Sequence, residues 1–228
     1  MTLSKAGALF RRGKDIVREE GMMPFIMRAF LFLLRFLKSS FFSYRNYYIY
    51  EKTLNEADEA MLTPRLPNVT LKIIYSSEEL DKLIKEGYDF KLPNFKERFK
   101  KGALPFCIFV EQELAHVTWV ALDETAKKEI DQLPFKVDFQ KGEVCSGGSF
   151  TDPRYRGRGL LSYVYSYIFP YLAEQGIRKD KFSIHEGNIV SQKAHAKFNP
   201  TITGKVRYLR LLWWEFWKKK PMKETKQQ

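Results

Sequence analysis

The stretch FTDPRYRGRGLLSYVYSYIF, Phe150 to Phe169, sets Arg154, Arg156 and Arg158 around Gly157 and Gly159 and then turns apolar. Three like charges in one turn repel, so the pattern points to a negative partner. Leu161, Tyr165, Ile168 and Leu172 share one helical face, with Leu160 and Val164 beside it. Gly176 is placed to close that helix in the left-handed conformation. Pro170 inside it predicts a kink, because its ring displaces one backbone hydrogen bond. Just upstream, EVCSGGSFT (Glu143 to Thr151) reads as a strand, with Gly147-Gly148 marking a bulge. Strand, Arg154-x-x-Gly157-x-Gly159, then helix is a geometry that cradles a diphosphate. The glycines admit close approach, the first-turn N–H groups point at the anion, and the helix dipole adds attraction. Arg156 and Arg158 can add charge-assisted bonds. A dinucleotide fold would instead open a βαβ unit with GxGxxG.

The flanking elements place this turn. VTLKIIY (Val69 to Tyr75) is a strand candidate, and Ser76-x-x-Glu79 is a capping box before Leu80, Leu83 and Ile84. PNFKERFKKG spaces Phe95 and Phe99 four apart, a second short helix. PFCIFVEQELAHVTWVAL reads as a hairpin turning at Glu111-Gln112-Glu113. PFKVDFQKG alternates Phe135, Val137 and Phe139 with polar residues and reads as a half-buried strand. KFSIH (Lys181 to His185) is a strand, and Asn188 caps a helix from Ile189 to Phe198 that Asn199-Pro200 ends. TITGKVRYLRLLWWEFW is apolar and β-rich before a lysine-rich tail. The order β-α-α-β-β-β-β-α-β-α-β implies an α+β fold with a mixed sheet.

At these residues the sequence resembles the GNAT superfamily of acyl-CoA-dependent N-acyltransferases. DPRYRGRGL is similar to that family's [R/Q]-x-x-G-x-[G/A] motif; Pro153 fits it, and Thr151 stands where a valine is usual. NIVSQKAHAKFNP is similar to its second motif, N-x-x-[S/A]-x-x-x-Y-x-K-x-G-F, with Asn188 and Ser191 matching. The likeness covers about Val69 to Arg210. It implies a mostly antiparallel sheet with helices on both faces and acetyl-CoA as cosubstrate. The diphosphate would sit on the N–H groups of Tyr155 to Leu160, that is Tyr155, Arg156, Gly157, Arg158, Gly159 and Leu160, with Arg154, Asn188 and Ser191 supporting. The pantetheine arm would enter between the strands at Glu143–Thr151 and Lys181–His185, near Phe150 and Thr151. An amine would attack directly, without an acyl-enzyme. The family's tyrosine, which protonates the thiolate in many members, is here His195, and Asn199-Pro200 replaces Gly-Phe. His195 is therefore the candidate general acid, or else a filler of the tyrosine's space. Glu143 is the candidate base, with His116 and His185 as rivals.

Charge and composition bound the rest. The net charge of +12 divides as +6 in residues 1–50, +6 in 201–228, and none between. Basicity confined to the ends argues against a nucleic-acid-binding face. Cys107 and Cys145 lie in apolar runs without a CxxC and read as buried free thiols in a reducing cytoplasm; three scattered histidines give no zinc spacing, so no metal is expected. PFIMRAFLFLLRFLKSSFF (Pro24 to Phe42) is apolar but broken by Arg28, Arg35 and Lys38, too charged to span a bilayer. Such a helix lies in an anionic membrane interface, or packs on the body or on a dimer partner. The expected layout is an amphipathic extension at 1–54, a linker at 55–68, the acyltransferase-like domain at 69–217 and a basic tail at 218–228. YRNYYIYEK (Tyr44 to Lys52) adds a strand or clamps the extension. The expected activity is acetyl transfer from acetyl-CoA to a small-molecule amine. The alternatives are a longer acyl donor, or a non-catalytic CoA-binding module.

Overall fold

The structure, a computed structural model, describes residues 21–27, 30–31, 42–54, 62–90, 92–211 and 214–221. Most of the expected extension helix, the first half of the linker and the end of the tail lie outside these residues. The chain divides into two compact units, residues 46–207 with 218–228, and residues 1–45 with 208–217. In the smaller unit, residues 22–27 and 30–31 are helical, and Tyr208 packs on Trp217 with ring centroids 4.2 Å apart.

Eight strands are hydrogen-bonded in the order β2-β3-β4-β5-β6-β1-β7-β8. They are β1 (Phe42–Thr53), β2 (Val69–Ile73), β3 (Leu104–Val110), β4 (Glu113–Ala121), β5 (Glu143–Thr151), β6 (Lys179–His185), β7 (Thr201–Leu211) and β8 (Trp214–Pro221). The pairings β2/β3, β3/β4, β4/β5 and β6/β1 are antiparallel, and β5/β6 is parallel. Among the described residues of the larger unit, the α-helices are α1 (Ser77–Lys85), α2 (Phe95–Lys100), α3 (Glu124–Ile130), α4 (Leu160–Glu174) and α5 (Ile189–Ala196). The tyrosine-rich N-terminal segment is a true strand. Its register on β6 runs from Tyr47↔His185 to Thr53↔Lys179, and Tyr50 stacks on Phe182 at 5.4 Å.

Local rules explain most elements. Glu79 N–H donates to Ser76 Oγ at 3.2 Å, while the Glu79 carboxylate accepts from Tyr75 N–H at 3.0 Å, so the box closes one residue earlier than the sequence pattern implies. The hairpin between β3 and β4 turns at Glu111, with φ +58°. Helix α4 runs unbroken through Pro170, and Gly176 follows its end at φ +74°. Its apolar face buries Leu160, Val164, Tyr165, Ile168 and Leu172 against Phe106, Ile108, Val120 and Val144. Each such side chain contributes roughly 1.5–3 kcal/mol on burial.

One expected strand is absent, and one helix was not expected. Phe135 to Gly142 is not a strand: it is an extended connection ending in a 3-10 turn at Phe139–Lys141. The period-two burial of Phe135 and Val137 is real, but the backbone is held by a side chain instead of a ladder. The Lys127 ammonium takes the Leu133 carbonyl at 2.9 Å and lies 4.4 Å from the Phe135 ring. That lysine belongs to α3, which the sequence reading passed over because its face is mostly charged. Asp123 starts it, accepting from Ala126 N–H at 2.8 Å.

The expected bulge is present. Val117 pairs with Phe150 and Trp119 with Gly147, so β5 carries one extra residue. Gly148 takes it at φ +58°, where an added Cβ would lie 2.8 Å from Arg98 Nη1 and 3.3 Å from Trp119 Cδ1. Only glycine meets both conditions without strain.

Candidate functional site

The site begins where two parallel strands part. β5 pairs with β6 at Glu143↔Lys179, Val144↔Asp180 and Cys145↔Lys181, and no further pair forms among the described residues although both strands continue. A side chain ends the ladder. Asp180 Oδ1 accepts the Ser146 N–H at 2.9 Å, and Asp180 Oδ2 meets Ser146 Oγ at 2.5 Å. The bulge at Gly148 then bends β5 away.

Beyond the bulge, β5 leads into the arginine-glycine turn. Phe150 pairs with Val117, and Asp152 N–H donates to Ala115 O at 3.0 Å. Strand alternation therefore turns the Thr151 backbone to the opposite, open edge, where its carbonyl accepts from Arg156 Nε at 3.2 Å. Of the expected pair, Thr151 offers main-chain groups to the gap and Phe150 gives its own to β4. Gly157 (φ +74°) and Gly159 (φ +81°) are exposed, and a Cβ on either would meet nothing within 4 Å. Among the described residues no acceptor meets the N–H groups of Gly157, Arg158, Gly159, Leu160, Leu161 and Ser162. Six N–H groups at the start of α4, beside buried Leu160, are thus left without an internal acceptor, whereas the expected Tyr155 and Arg156 N–H groups bond the Asp152 and Pro153 carbonyls.

The three arginines divide their work. Arg154 clamps the turn: Nε and Nη2 donate to the Asp152 carboxylate at 3.1 Å each, and Nη1 lies 2.8 Å from Glu113 Oε2. Those carboxylates, Asp152 first, raise its pKa further. Tyr155 Oη also donates to Glu113, at 2.8 Å. Arg156 and Arg158 are exposed beside the glycines, and the Arg158 carbonyl accepts from Arg65 N–H at 3.0 Å.

The histidines are placed differently from one another. His116 is fully buried, with Nδ1 2.7 Å from Thr151 Oγ1 and Nε2 2.9 Å from Thr118 Oγ1, which in turn meets Ser149 Oγ at 2.8 Å. Burial pushes its pKa down to about 3, so it is a neutral brace for the bulged strand. His185 is exposed at the end of β6, its Nδ1 accepting from Gly187 N–H at 3.0 Å. His195 is buried between Tyr165 (4.5 Å) and Phe182 (4.6 Å). Its Nδ1–H donates to Ser191 O at 2.8 Å, and its buried Nε2 has no partner among the described residues. Burial lowers its pKa to about 4. In that tautomer Nε2 is a lone pair, an acceptor and not an acid. Asn188 Oδ1 accepts from Ser191 N–H at 3.1 Å, so Asn188 and Ser191 cap α5 and fix His195.

Glu143 is corrected. It lies at the closed end of the parting strands, where Lys181 donates to its carboxylate at 2.6 Å and Asp138 N–H at 2.7 Å. Burial pushes its pKa up, but the Lys181 bond, the Asp138 bond and the lysine charges outweigh that and lower it. A carboxylate so held is a poor proton acceptor. Cys107 and Cys145 are free, buried and have thiol pKa values well raised by burial, so neither is a thiolate nucleophile.

Four polar side chains at the gap escaped the sequence reading: Ser146 and Asp180 on the α4 side, Asp131 and Ser183 on the α3 side. Tyr165 Oη lies 3.0 Å from Ser146 Oγ. The signal for Asp180 was present: in KDKFSIH it occupies the inward register of Phe182 and Ile184.

No protein-family model matches the chain, and no curated protein matches it. Solved structures do. A glucosamine N-acetyltransferase region of a fungal multi-domain GH3 β-N-acetylglucosaminidase matches at TM-score 0.50 and 9% identity, over 81% of this chain and 22% of that one. The chain has the GNAT fold. A GCN5-related N-acetyltransferase from Sphaerobacter thermophilus aligns at TM-score 0.49 and 13% identity, over 82% of this chain and 56% of the other. A GNAT-family acetyltransferase from Colwellia psychrerythraea aligns at 0.48 and 15%, over 79% and 62%. The chain thus spans little more than half the length of those two proteins. Within its GNAT fold, the parted strands, the bulge and the glycine turn meet at one end of β5.

Proposed function

We propose that this chain is an acyl-CoA-dependent N-acyltransferase that moves an acetyl group from acetyl-CoA to the primary amine of a small molecule. The observation that carries the reading is the run of N–H donors from Gly157 to Ser162 that have no acceptor among the described residues, at a turn whose two left-handed glycines have open surroundings. Such a row fits a diphosphate, and hydrogen bonds to a charged group contribute about 1.5–3 kcal/mol each. Arg156 and Arg158 add charge and have no carboxylate partner among the described residues, while Arg154 keeps the turn in shape. The open edge at Thr151 suits the amide-bearing pantetheine arm, which would lie along it as a short extra strand. The bound thioester supplies the acyl group. The chain's part is to align an amine against it, which removes much of the entropic barrier, and to move one proton from nitrogen to sulfur. His195, with a bare Nε2 and a lowered pKa, serves as an acceptor that orients a neighbouring hydroxyl or water in place of the expected acid.

The test is calorimetry with acetyl-CoA and palmitoyl-CoA, followed by thiol release on glucosamine, lysine and spermidine. Micromolar acetyl-CoA binding with turnover on at least one amine is the expected result. Absence of binding at millimolar acetyl-CoA overturns the reading. Preference for palmitoyl-CoA establishes the longer-chain alternative, and binding without turnover on any amine favours the CoA-binding module.

We also propose a cytoplasmic protein that rests on the inner, anionic face of a membrane. Met22, Met23, Ile26, Met27, Phe30 and Leu31 are all exposed in the helical residues of the smaller unit, and the first fifty residues carry +6. Among the described residues no helix is long and apolar enough to cross a bilayer. Removal of everything before Asn55 is not a usable test, because it would delete β1 from the sheet. Ile26→Glu with Phe30→Glu is. The double variant is expected to lose flotation with phosphatidylserine vesicles that the native chain shows at low salt; equal flotation would refute the placement.

A further inference from the structure

A carboxylate bridges the gap on the face opposite His195. Asp131 ends α3, and Ile130–Asp131 lies across the two strands where they part. On β5, a Cβ at Gly147 would lie 3.8 Å from the Ile130 carbonyl. On β6, Ser183 Oγ donates to Asp131 Oδ2 at 2.5 Å. Cys145 and Lys181 are the last paired residues, so Gly147 and Ser183 each stand two residues beyond, on the same face, at the first step of the opening. Gly147 has no side chain to fill that step.

Resting on the acyltransferase reading, we propose that Asp131 and Ser183 form the proton-accepting dyad for the attacking amine. The amine nitrogen bonds to the thioester carbonyl carbon and the carbon–sulfur bond breaks. The nitrogen's proton passes to Ser183 Oγ as the hydroxyl proton of Ser183 passes to Asp131 Oδ2. The sulfur leaves as a thiolate and takes a proton from solvent, and Asp131 returns its proton to solvent, so one proton moves in net from nitrogen to sulfur.

The surroundings suit this role. Asp131 Oδ1 accepts from Leu133 N–H at 2.9 Å, which fixes the carboxyl plane. The charged and titratable groups around it are Lys127 from α3, whose ammonium bonds the Asp131 and Leu133 carbonyls, and Cys145 from β5. Burial raises the Asp131 pKa, outweighing the lowering by Ser183, the Leu133 N–H and Lys127. A raised carboxyl is a stronger base than one held as Glu143 is, and stays ionised above its midpoint.

The experiment follows the Asp131 carboxyl carbon by NMR in a [13C]aspartate-labelled chain, assigned by its loss in Asp131→Asn. Its midpoint is expected above the ordinary value of about 4 and should rise by about half a unit or more when acetyl-CoA excludes water from the gap. Ser183→Ala removes a bond to the ionised form, so it should raise the midpoint and move the acid limb of kcat/KM to higher pH by the same amount. Asp131→Asn should lower kcat on the best amine of the panel by about 100-fold or more, with acetyl-CoA affinity within about two-fold. If acetyl-CoA binds while the midpoint stays still, or if Asp131→Asn turns over normally, the dyad is refuted and the acyltransferase reading survives. If acetyl-CoA does not bind at all, both are refuted together.

Discussion

Replacing Gly157 with glutamate is expected to raise the dissociation constant for acetyl-CoA by more than about 100-fold while leaving the chain folded. Two effects add. The residue sits at φ +74°, where any side chain costs roughly 1–2 kcal/mol. The new carboxylate then sits beside N–H groups that have no acceptor among the described residues, satisfies some of them itself, and repels the phosphates. The open surroundings of Gly157 mean that no protein atom must move, so the loss of melting temperature should be only a few degrees. Gly176 separates strain from function. It has the same φ of +74° and the same empty surroundings, but it follows the far end of α4. Gly176→Glu should lose comparable stability and no affinity. Calorimetry and thermal melts on both variants check this, and equal acetyl-CoA binding by Gly157→Glu and the native chain would falsify the cradle.

The glycine turn was legible because it is local. Left-handed glycines and a helix start leave their mark within ten residues, and Arg154, Gly157, Gly159 and the bulge at Gly148 were all readable in the sequence. The polar contacts in the gap were not, because they are assembled from residues far apart in the chain. Asp131 and Ser183 meet only because α3 crosses from β5 to β6, and α3 itself was hidden by its charged face. Glu143 shows the opposite error. Its place at the start of β5 was legible, but nothing local reveals that Lys181 lies beside it and that the strands are still paired there. The same limit applies to Arg154, whose partner Glu113 is brought over by the sheet. Sequence spacing reads what a segment does to itself; ionisation depends on what the fold sets across from it.

Asp180→Asn is expected to change the pH dependence of stability more than any other single change at the site. Asp180 is fully buried, meets Ser146 through both carboxyl oxygens, and has its pKa raised to about 7, burial being the main cause against the lowering Ser146 bonds. The unfolded chain releases this proton near pH 4. From about pH 4 to about pH 7 the folded chain therefore holds a proton that the unfolded chain has lost, and stability falls as pH rises across that window. At 1.36 kcal/mol per unit the loss amounts to about 2–4 kcal/mol by pH 8, allowing for relaxation of the site. Asparagine carries no such proton and keeps the geometry. Its oxygen can accept the Ser146 N–H, and its amide can donate to Ser146 Oγ, whose own hydrogen turns to Tyr165 Oη, 3.0 Å away. Relative to the native chain, Asp180→Asn should thus gain about 1–2.5 kcal/mol between pH 5 and pH 8 in urea unfolding, since all other titrating groups cancel in the difference. Parallel curves at the two pH values would show that Asp180 is ionised or solvated in the fold. Acetyl-CoA affinity should survive the substitution, because an amide at this position still occupies the Ser146 N–H and still stops β5 from pairing further with β6. The parting of the strands depends on that hydrogen bond, whereas the pH response depends on the proton.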